Sequence, residues 1–266
     1  MRILPIDNSR YQKQPNFQSC LRRYLPKNVS TDCLKDDIVK TSTNMFREDL
    51  NWKFLVKYLL FNMFNEKKVN TYSLAASDGS EAYSFAIFLM SRLPENVYNK
   101  FFPIKASDID PKMVEVANKR RINIHKFEFD IINRQYQINM RDFFEKEDKP
   151  VKIENDDIEW TEKKMLSSYA PVDELKQAVQ FKQSDILTEL NNIEDDGNSI
   201  VFCRNVFPYL KEDYIDDVMK AANNNLKTGS LFVTGEFDWK VDITNKLLEN
   251  GFFKPVAEYN NIFQKL

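Results

Sequence analysis

Four short stretches hold most of the residues in this chain that are able to do chemistry, and each follows an apolar run of strand type. The first is Ala75-Ala76-Ser77-Asp78-Gly79-Ser80-Glu81, where small residues open onto a helical pattern. Small side chains let a ligand approach the backbone, and the N–H groups of the following helix face it. The second is Ser107-Asp108-Ile109-Asp110-Pro111. Asp108 stands where an acidic side chain takes ribose hydroxyls in dinucleotide-type folds, and Asp110 is suited to cap a helix with Pro111 in its first turn. The third, Ser184-Asp185-Ile186-Leu187, sets a carboxylate beside an apolar wall. It reads equally as an acceptor for an adenine amino group or as a helix cap. The fourth, Cys203-Arg204-Asn205-Val206-Phe207-Pro208-Tyr209, gathers Arg, Asn and Tyr at one strand end. A GxxxxGK[ST] phosphate loop is absent, so a nucleoside ligand without phosphates fits best.

Regular elements must carry these stretches. Trp52, Leu55, Leu59 and Met63 fall at helical spacing and predict a helix over 51–65. A strand over 69–75 follows, then a helix burying Tyr83, Ile87 and Met90, with Ser77 or Asp78 as its cap. Further strands are expected at 104–107, 179–184, 199–203 and 231–234, with helices over 111–121 and 212–226. The closing FFKPVAEYNNIFQKL predicts a hairpin that turns at Asn260-Asn261. This alternation implies an α/β fold, a mostly parallel Rossmann-type sheet of seven strands with a C-terminal antiparallel hairpin. Residues 1–40, broken by Pro5, Pro15 and Pro26, read as an arm with one helical turn near 19–24. Residues 122–178 read as a small, irregular inserted subdomain. It keeps Phe127, Phe129, Phe143, Phe144 and Trp160, and its EKEDKP and ENDD runs are expected to be solvated faces.

Composition narrows the function. Among 266 residues, 38 Lys plus Arg face 40 Asp plus Glu, so the chain lacks the basic excess that neutralises nucleic-acid phosphates. With 21 Phe, 11 Tyr and only 5 Gly, neither a disordered nor a collagen-like chain is expected. No apolar run approaches the ~18 residues of a membrane span, and the N-terminus lacks a signal-peptide pattern. Cys20, Cys33 and Cys203 suggest neither a disulfide framework nor a zinc site, and no metal is expected. A soluble protein of the reducing cytoplasm is the natural expectation. The single histidine, His125, leaves little room for a His general base, so the chemistry must need little acid–base help. Cys203, set among apolar neighbours, reads as a buried structural thiol.

Five ordered motifs resemble the S-adenosylmethionine (SAM) binding domain of the chemotaxis-receptor glutamate methyltransferases, the CheR family. The family's T-x-F-F-R is similar to Thr43-Asn44-Met45-Phe46-Arg47, and its GEEPYS turn to Gly79-Ser80-Glu81-Ala82-Tyr83-Ser84. Its A-T/S-D-I-D matches Ala106-Ser107-Asp108-Ile109-Asp110, and its N-L-L is similar to Asp185-Ile186-Leu187. Its F-C-R-N-V-x-x-Y matches 202–209 and is the most specific piece. The resemblance runs from about 41 to 240 and implies a class I methyltransferase-like domain over 41–266. It further implies that Glu81 and Asp108 hold the methionine-ribose part of SAM and that Asp185 and Ile186 bracket the adenine. Thr41 stands where the family usually has Asn, and with Thr43, Arg47, Arg204 and Asn205 it would shape the remaining cofactor surface. Arg47 and Tyr209 would lie nearest the transferable methyl as the catalytic pair. Met45, Ser80, Ala82 and Asp185 depart from the family's Phe, Glu, Pro and Asn. The helical domain that precedes this region in the chemotaxis enzymes is expected to be almost absent, with about 40 residues in its place.

The implied function is methylation of a protein carboxylate, with S-adenosylhomocysteine as by-product and a receptor-like protein as acceptor. A carboxylate is ionised at neutral pH (Glu pKa ≈ 4.3), so a single histidine is no obstacle. Two other classes stay open. An adenine-type nucleic-acid methyltransferase is suggested by Asn205 and Pro208-Tyr209, although Val206 and Phe207 interrupt that signature. A non-catalytic SAM-binding sensor or scaffold is the other.

Overall fold

The computed structural model describes residues 21–35, 38–41, 43–119, 122–125, 127–147, 166–249, 251–256 and 259–266. Seven strands form the central sheet: β3 (Val69–Leu74), β4 (Ile104–Asp108), β8 (Val179–Gln183), β9 (Asn198–Cys203), β10 (Leu231–Val233), β11 (Phe253–Val256) and β12 (Tyr259–Lys265). Their order is β11-β12-β10-β9-β3-β4-β8. All pairs from β8 to β10 are parallel, and β12 runs antiparallel to both β10 and β11. This is the expected sheet with one reversed strand. Central β3 is buried along its whole length, although Asn70, Thr71 and Ser73 are polar. Asn70 Nδ2 donates to Asp196 at 2.7 Å and Ser73 Oγ to Glu81 at 2.7 Å, which offsets part of the cost of burial, while Asn70 Oδ1 and Thr71 Oγ1 are buried without a partner among the described residues.

Helices α1 (Trp52–Asn62), α2 (Ser80–Arg92), α4 (Pro111–Asn118) and α8 (Glu212–Asn225) fall where the spacing predicts them. Asn51 caps α1 by accepting from the Phe54 N–H, and Asp110 caps α4 by accepting from the Lys112 N–H. Short helices α3 (Glu95–Tyr98), α6 (Asp173–Ala178), α7 (Ile186–Asn191) and α9 (Ile243–Leu248) complete the layers. One core cluster, holding Trp52, Phe85, Phe88 and Phe202, lies under α1 and α2. A second, holding Phe207, Phe232 and Phe263, lies under α8 and α9.

The peripheral expectations need correction. The predicted helical turn near 19–24 is instead β1 (Leu21–Tyr24), paired antiparallel with β2 (Ile38–Thr41); residues 19–20 lie outside the described residues. A local apolar pattern too short to specify a helix was captured by cross-strand pairing. Asn260 and Asn261 lie within β12 rather than at a turn, and residues 257–258 lie outside the described residues. Asn261 is drawn into the sheet because its carbonyl accepts from the Thr234 N–H and its Nδ2 donates to the Asp49 carbonyl at 2.7 Å. The insertion is more regular than its charge suggests. It holds β5 (Ile122–His125), α5 (Glu128–Tyr136), β6 (Phe144–Lys146) and β7 (Leu166–Pro171), with sheet order β5-β7-β6. Phe144 meets Tyr83 at 6.4 Å and Tyr136 stacks on Phe46 at 5.0 Å, so its aromatics join the main core. Trp160 and the two charged runs lie largely outside the described residues.

Candidate functional site

Because β9, β3, β4 and β8 are adjacent and parallel, their carboxyl ends meet along one edge, and a cleft opens there. Its empty space, open mouth included, is about 1090 Å³. All four chemistry-bearing stretches contribute to its lining. Thr43, Arg47, Glu81, Asp108, Asp185, Ile186, Arg204, Asn205 and Tyr209 all face it. Of Thr41 the structure describes only the backbone, which lies in β2 and pairs with Leu21 of β1.

The turn after β3 has an unusual backbone. Ala75, Ser77 and Gly79 have φ of 58°, 54° and 90°, so alternate residues are left-handed. Two of them carry side chains that resist this conformation, a strain concentrated where a ligand would lie. Gly79 cannot be replaced easily, since a Cβ there would stand 2.5 Å from the Phe181 ring. Gly79, rather than Ser77 or Asp78, occupies the N-cap position of α2, because the left-handed turn brings it there. Asp78 still accepts from the Ser80 N–H at 2.9 Å. Across the gap, Asp108 accepts from the Ser77 and Asp110 N–H groups at 2.8 and 2.9 Å. The Asp108 carboxylate therefore fixes two turns and lines the cleft between them.

At the β9 end, Arg204 is 2% exposed at its side chain and spans two carboxylates. It donates to Glu81 at 2.9 Å on one side and to Asp49 on the other, and its guanidinium lies 5.6 Å from the Trp52 ring centre. Burial pushes the Glu81 carboxyl above its ordinary value, opposed by Arg204 and by the Ser73 hydroxyl. Asn205 is left-handed (φ 59°), and its amide bridges Asp49 and the Phe237 N–H. Gly235 permits this close approach, because a Cβ there would fall 2.3 Å from Asn205. Beneath it, Asp238 accepts from the N–H groups of Gly235, Asn205 and Phe207 at 2.7, 2.8 and 3.2 Å. Burial lifts the Asp238 carboxyl to about 6 against those three donors. Arg47 lies at the rim with its guanidinium 5.3 Å from the Phe237 ring centre, and Tyr209 is 40% exposed.

At the β8 end, Asp185 caps α7, accepting from the Thr188 N–H and hydroxyl and from the Tyr214 hydroxyl. Partial burial raises its pKa, but these hydrogen bonds outweigh that and hold it below the ordinary range. The N-terminal arm closes this end. Leu34 bridges Leu210, the Lys211 N–H donates to the Cys33 carbonyl, and the Lys35 N–H donates to the Tyr209 carbonyl. Cys33 and Leu34 thereby line the cleft. Cys203 is fully buried in β9, and burial raises its thiol pKa.

Residues 41–247 match the family described as "CheR methyltransferase, SAM binding domain". The chain belongs to this family. A chemotaxis protein methyltransferase of Listeria innocua is 26% identical over 193 residues, 71% of this chain and 62% of that protein. The corresponding protein of Borreliella burgdorferi is 26% identical over 222 residues, 80% of this chain and 70% of that protein. This chain thus spans less than two thirds of the Listeria protein's length. A solved precorrin-6y C5,15-methyltransferase from Geobacter metallireducens aligns with TM-score 0.38 at 9% identity, covering 82% of this chain and 89% of that one. That likeness is too distant to transfer any residue.

The CheR-family cofactor SAM fits the residues present. Its sugar hydroxyls suit Asp108, and the buried Arg204 Nε, which has no partner, marks polar capacity left over at the β9 end. Asp49, Asp238, Cys33, Leu34 and Tyr214 were missed by sequence reasoning. Asp49 lies two residues beyond Arg47 and was the most accessible of them, as an acidic neighbour of a basic motif residue. The others are brought in by distant segments and leave no local signal. No helix among the described residues is long and apolar enough to cross a membrane, and none of their acidic, Cys or His groupings suits a metal ion.

Proposed function

We propose that this chain methylates a protein carboxylate, a glutamate side chain, using SAM. The supporting observation is the charge arrangement at the β9 end, where Arg47 and Tyr209 line the cleft beside the buried Arg204. When bound, SAM supplies a sulfonium methyl that is already electrophilic. The chain's own task is then to hold the acceptor in line and to exclude water. Arg47 presents a planar fork to the acceptor carboxylate, and the Tyr209 hydroxyl donates a hydrogen bond that aims it. Asp108 accepts from the ribose hydroxyls, Ile186 supplies an apolar wall for the adenine, and Asp185 lies beside it. Glu81 holds the methionine-ribose part together with Asp108, and Thr43, Arg204, Asn205 and the segment at Thr41 complete the surface. An ionised acceptor requires no general base.

The acceptor is a receptor-like protein, in keeping with the chemotaxis methyltransferases among the chain's relatives. A cytoplasmic location is part of this reading and is supported by the unbridged Cys33 and Cys203 thiols. Incubation with methyl-labelled SAM and host lysate is the test, and base-labile label on protein is expected. Label on nucleic acid would support an adenine-type methyltransferase, and cofactor binding without any label would support a sensor. Tyr209→Phe should bind S-adenosylhomocysteine as wild type but slow single-turnover transfer; an unchanged rate removes Tyr209 from the mechanism.

A further inference from the structure

We propose that Asp49 is the positioning residue that holds the acceptor-side Arg47 and the cofactor-side Arg204 in one frame, although it does not line the cleft. This rests on the cleft taking SAM. The Asp49 side chain is 3% exposed and receives three donors on two oxygens. Oδ1 accepts from the Arg204 guanidinium, while Oδ2 accepts from Asn205 Nδ2 at 2.9 Å and from the Glu236 N–H at 3.1 Å. Arg47 Nε lies 3.9 Å from the same Oδ2. The Asp49 carbonyl is held in turn by Asn261 Nδ2 at 2.7 Å. One residue therefore ties the loop bearing Thr43 and Arg47 to the ends of β9 and β10 and to the reversed strand β12.

Only a carboxylate satisfies this arrangement. A neutral amide at 49 has one acceptor oxygen and one NH₂ group, so either orientation sets a donor against a donor. Turned one way, the NH₂ meets Asn205 and Glu236; turned the other, it meets Arg204. Arg204 keeps its second partner, Glu81, at 2.9 Å, and so it shifts rather than leaving the site. Arg47 loses the negative charge beside it. Both arginines consequently drift from the geometry that the cleft needs, even though the substitution is nearly isosteric.

The test is calorimetric titration with S-adenosylhomocysteine alongside thermal unfolding. Asp49→Asn is expected to bind about tenfold more weakly, the consequence of misplacing one charged hydrogen-bonding group. Pairing it with Asn205→Asp again sets a donor at 49 against an acceptor at 205, although the Glu236 N–H still faces that donor, so the repair is partial. That double variant is expected to regain at least a third of the lost binding free energy. Asp49→Asn with wild-type affinity and a lowered melting temperature would reduce Asp49 to a structural carboxylate and overturn the proposal. Weakened binding with no recovery in the double variant would overturn it as well. Should Asp49→Asn not fold, Asn261→Ala loosens the same residue from behind. It is expected to weaken binding about threefold, as a lost neutral hydrogen bond of under 1 kcal/mol would, and unchanged affinity would overturn the proposal. A wild-type protein that does not bind S-adenosylhomocysteine would instead remove the cofactor reading on which it rests.

Discussion

At the β9 end of the cleft, Arg204, Asp49, Glu81 and Asp238 are buried or nearly so, and each is hydrogen-bonded to at least two other residues. At the β8 end, Asp185 is only partly buried and serves its own helix and Tyr214, while the wall opposite is a stretch of N-terminal arm. One end is built as a network of matched charges; the other is a capped helix closed by a strap. Buried charge networks respond strongly and non-additively when a member is lost, because the survivors are left unpaired in a poor solvent for charge. A cap responds weakly and locally. In the proposed reaction, the end assigned to aim the acceptor is the end where the chain commits buried charge.

This contrast orders the expected effects of substitution. The largest is Arg204→Leu, which strands Asp49 and Glu81 without their shared partner. It should lower stability by about 3–5 kcal/mol in denaturant unfolding. A loss below about 1 kcal/mol would mean that water reaches those carboxylates, and the comparison would fail. Next is Asp108→Ala, which removes the acceptor proposed for the ribose hydroxyls and the tie to the Ser77 N–H. It should weaken S-adenosylhomocysteine binding roughly ten- to hundredfold at retained fold.

Asp238 offers a pH test of the same network. Its pKa, about 6 in the fold, lies above the ordinary carboxylate value of 3.8, so folding takes up a proton there. The stability it contributes is fully present below about pH 4 and is lost as pH rises through about 6. The stability difference between wild type and Asp238→Asn should therefore shrink in that direction, as read from denaturant midpoints at pH 4, 5, 6 and 7. A difference that grows with pH would show that the three N–H donors dominate over burial. The smallest effect is expected from Asp185→Ala, about 1 kcal/mol of stability for a lost helix cap. If it lowers S-adenosylhomocysteine affinity as much as Asp108→Ala, the two ends of the cleft are less different than their construction implies.

Much of the cleft was legible in the residues alone, for a physical reason. Each of the four stretches combines a strand's end with the start of a helix, and that junction has strong local rules. Asp110 with Pro111 and Asp185 with Thr188 are caps within four residues of one another. Gly79 is a turn residue beside a helix start, and Arg204 follows directly on a buried apolar strand. The parallel sheet then follows from alternation, since strands joined through helices return in the same direction. Even so, local pattern left Asp185 divided between cap and ligand, and the structure gives it a cap's hydrogen bonds while placing it in the cleft.

Partners distant in sequence were decided by tertiary structure. Asp49 and Arg204 are 155 residues apart, and Asn261 reaches Asp49 across 212. Nothing in the local pattern of Glu48-Asp49-Leu50 announces three donors arriving from other strands. The arm and the end of the chain were misread for the same reason. Leu21–Tyr24 became a strand because β2 was there to pair with it, and Asn260-Asn261 stayed extended because β10 and Asp49 supply its hydrogen bonds. By itself the sequence determined which strand ends run into the turns that line the cleft, since helix caps, tight turns and apolar runs act over a few residues. The tertiary structure decided which buried charges face one another, because the low dielectric that makes such pairing obligatory exists only after the sheet has closed over them.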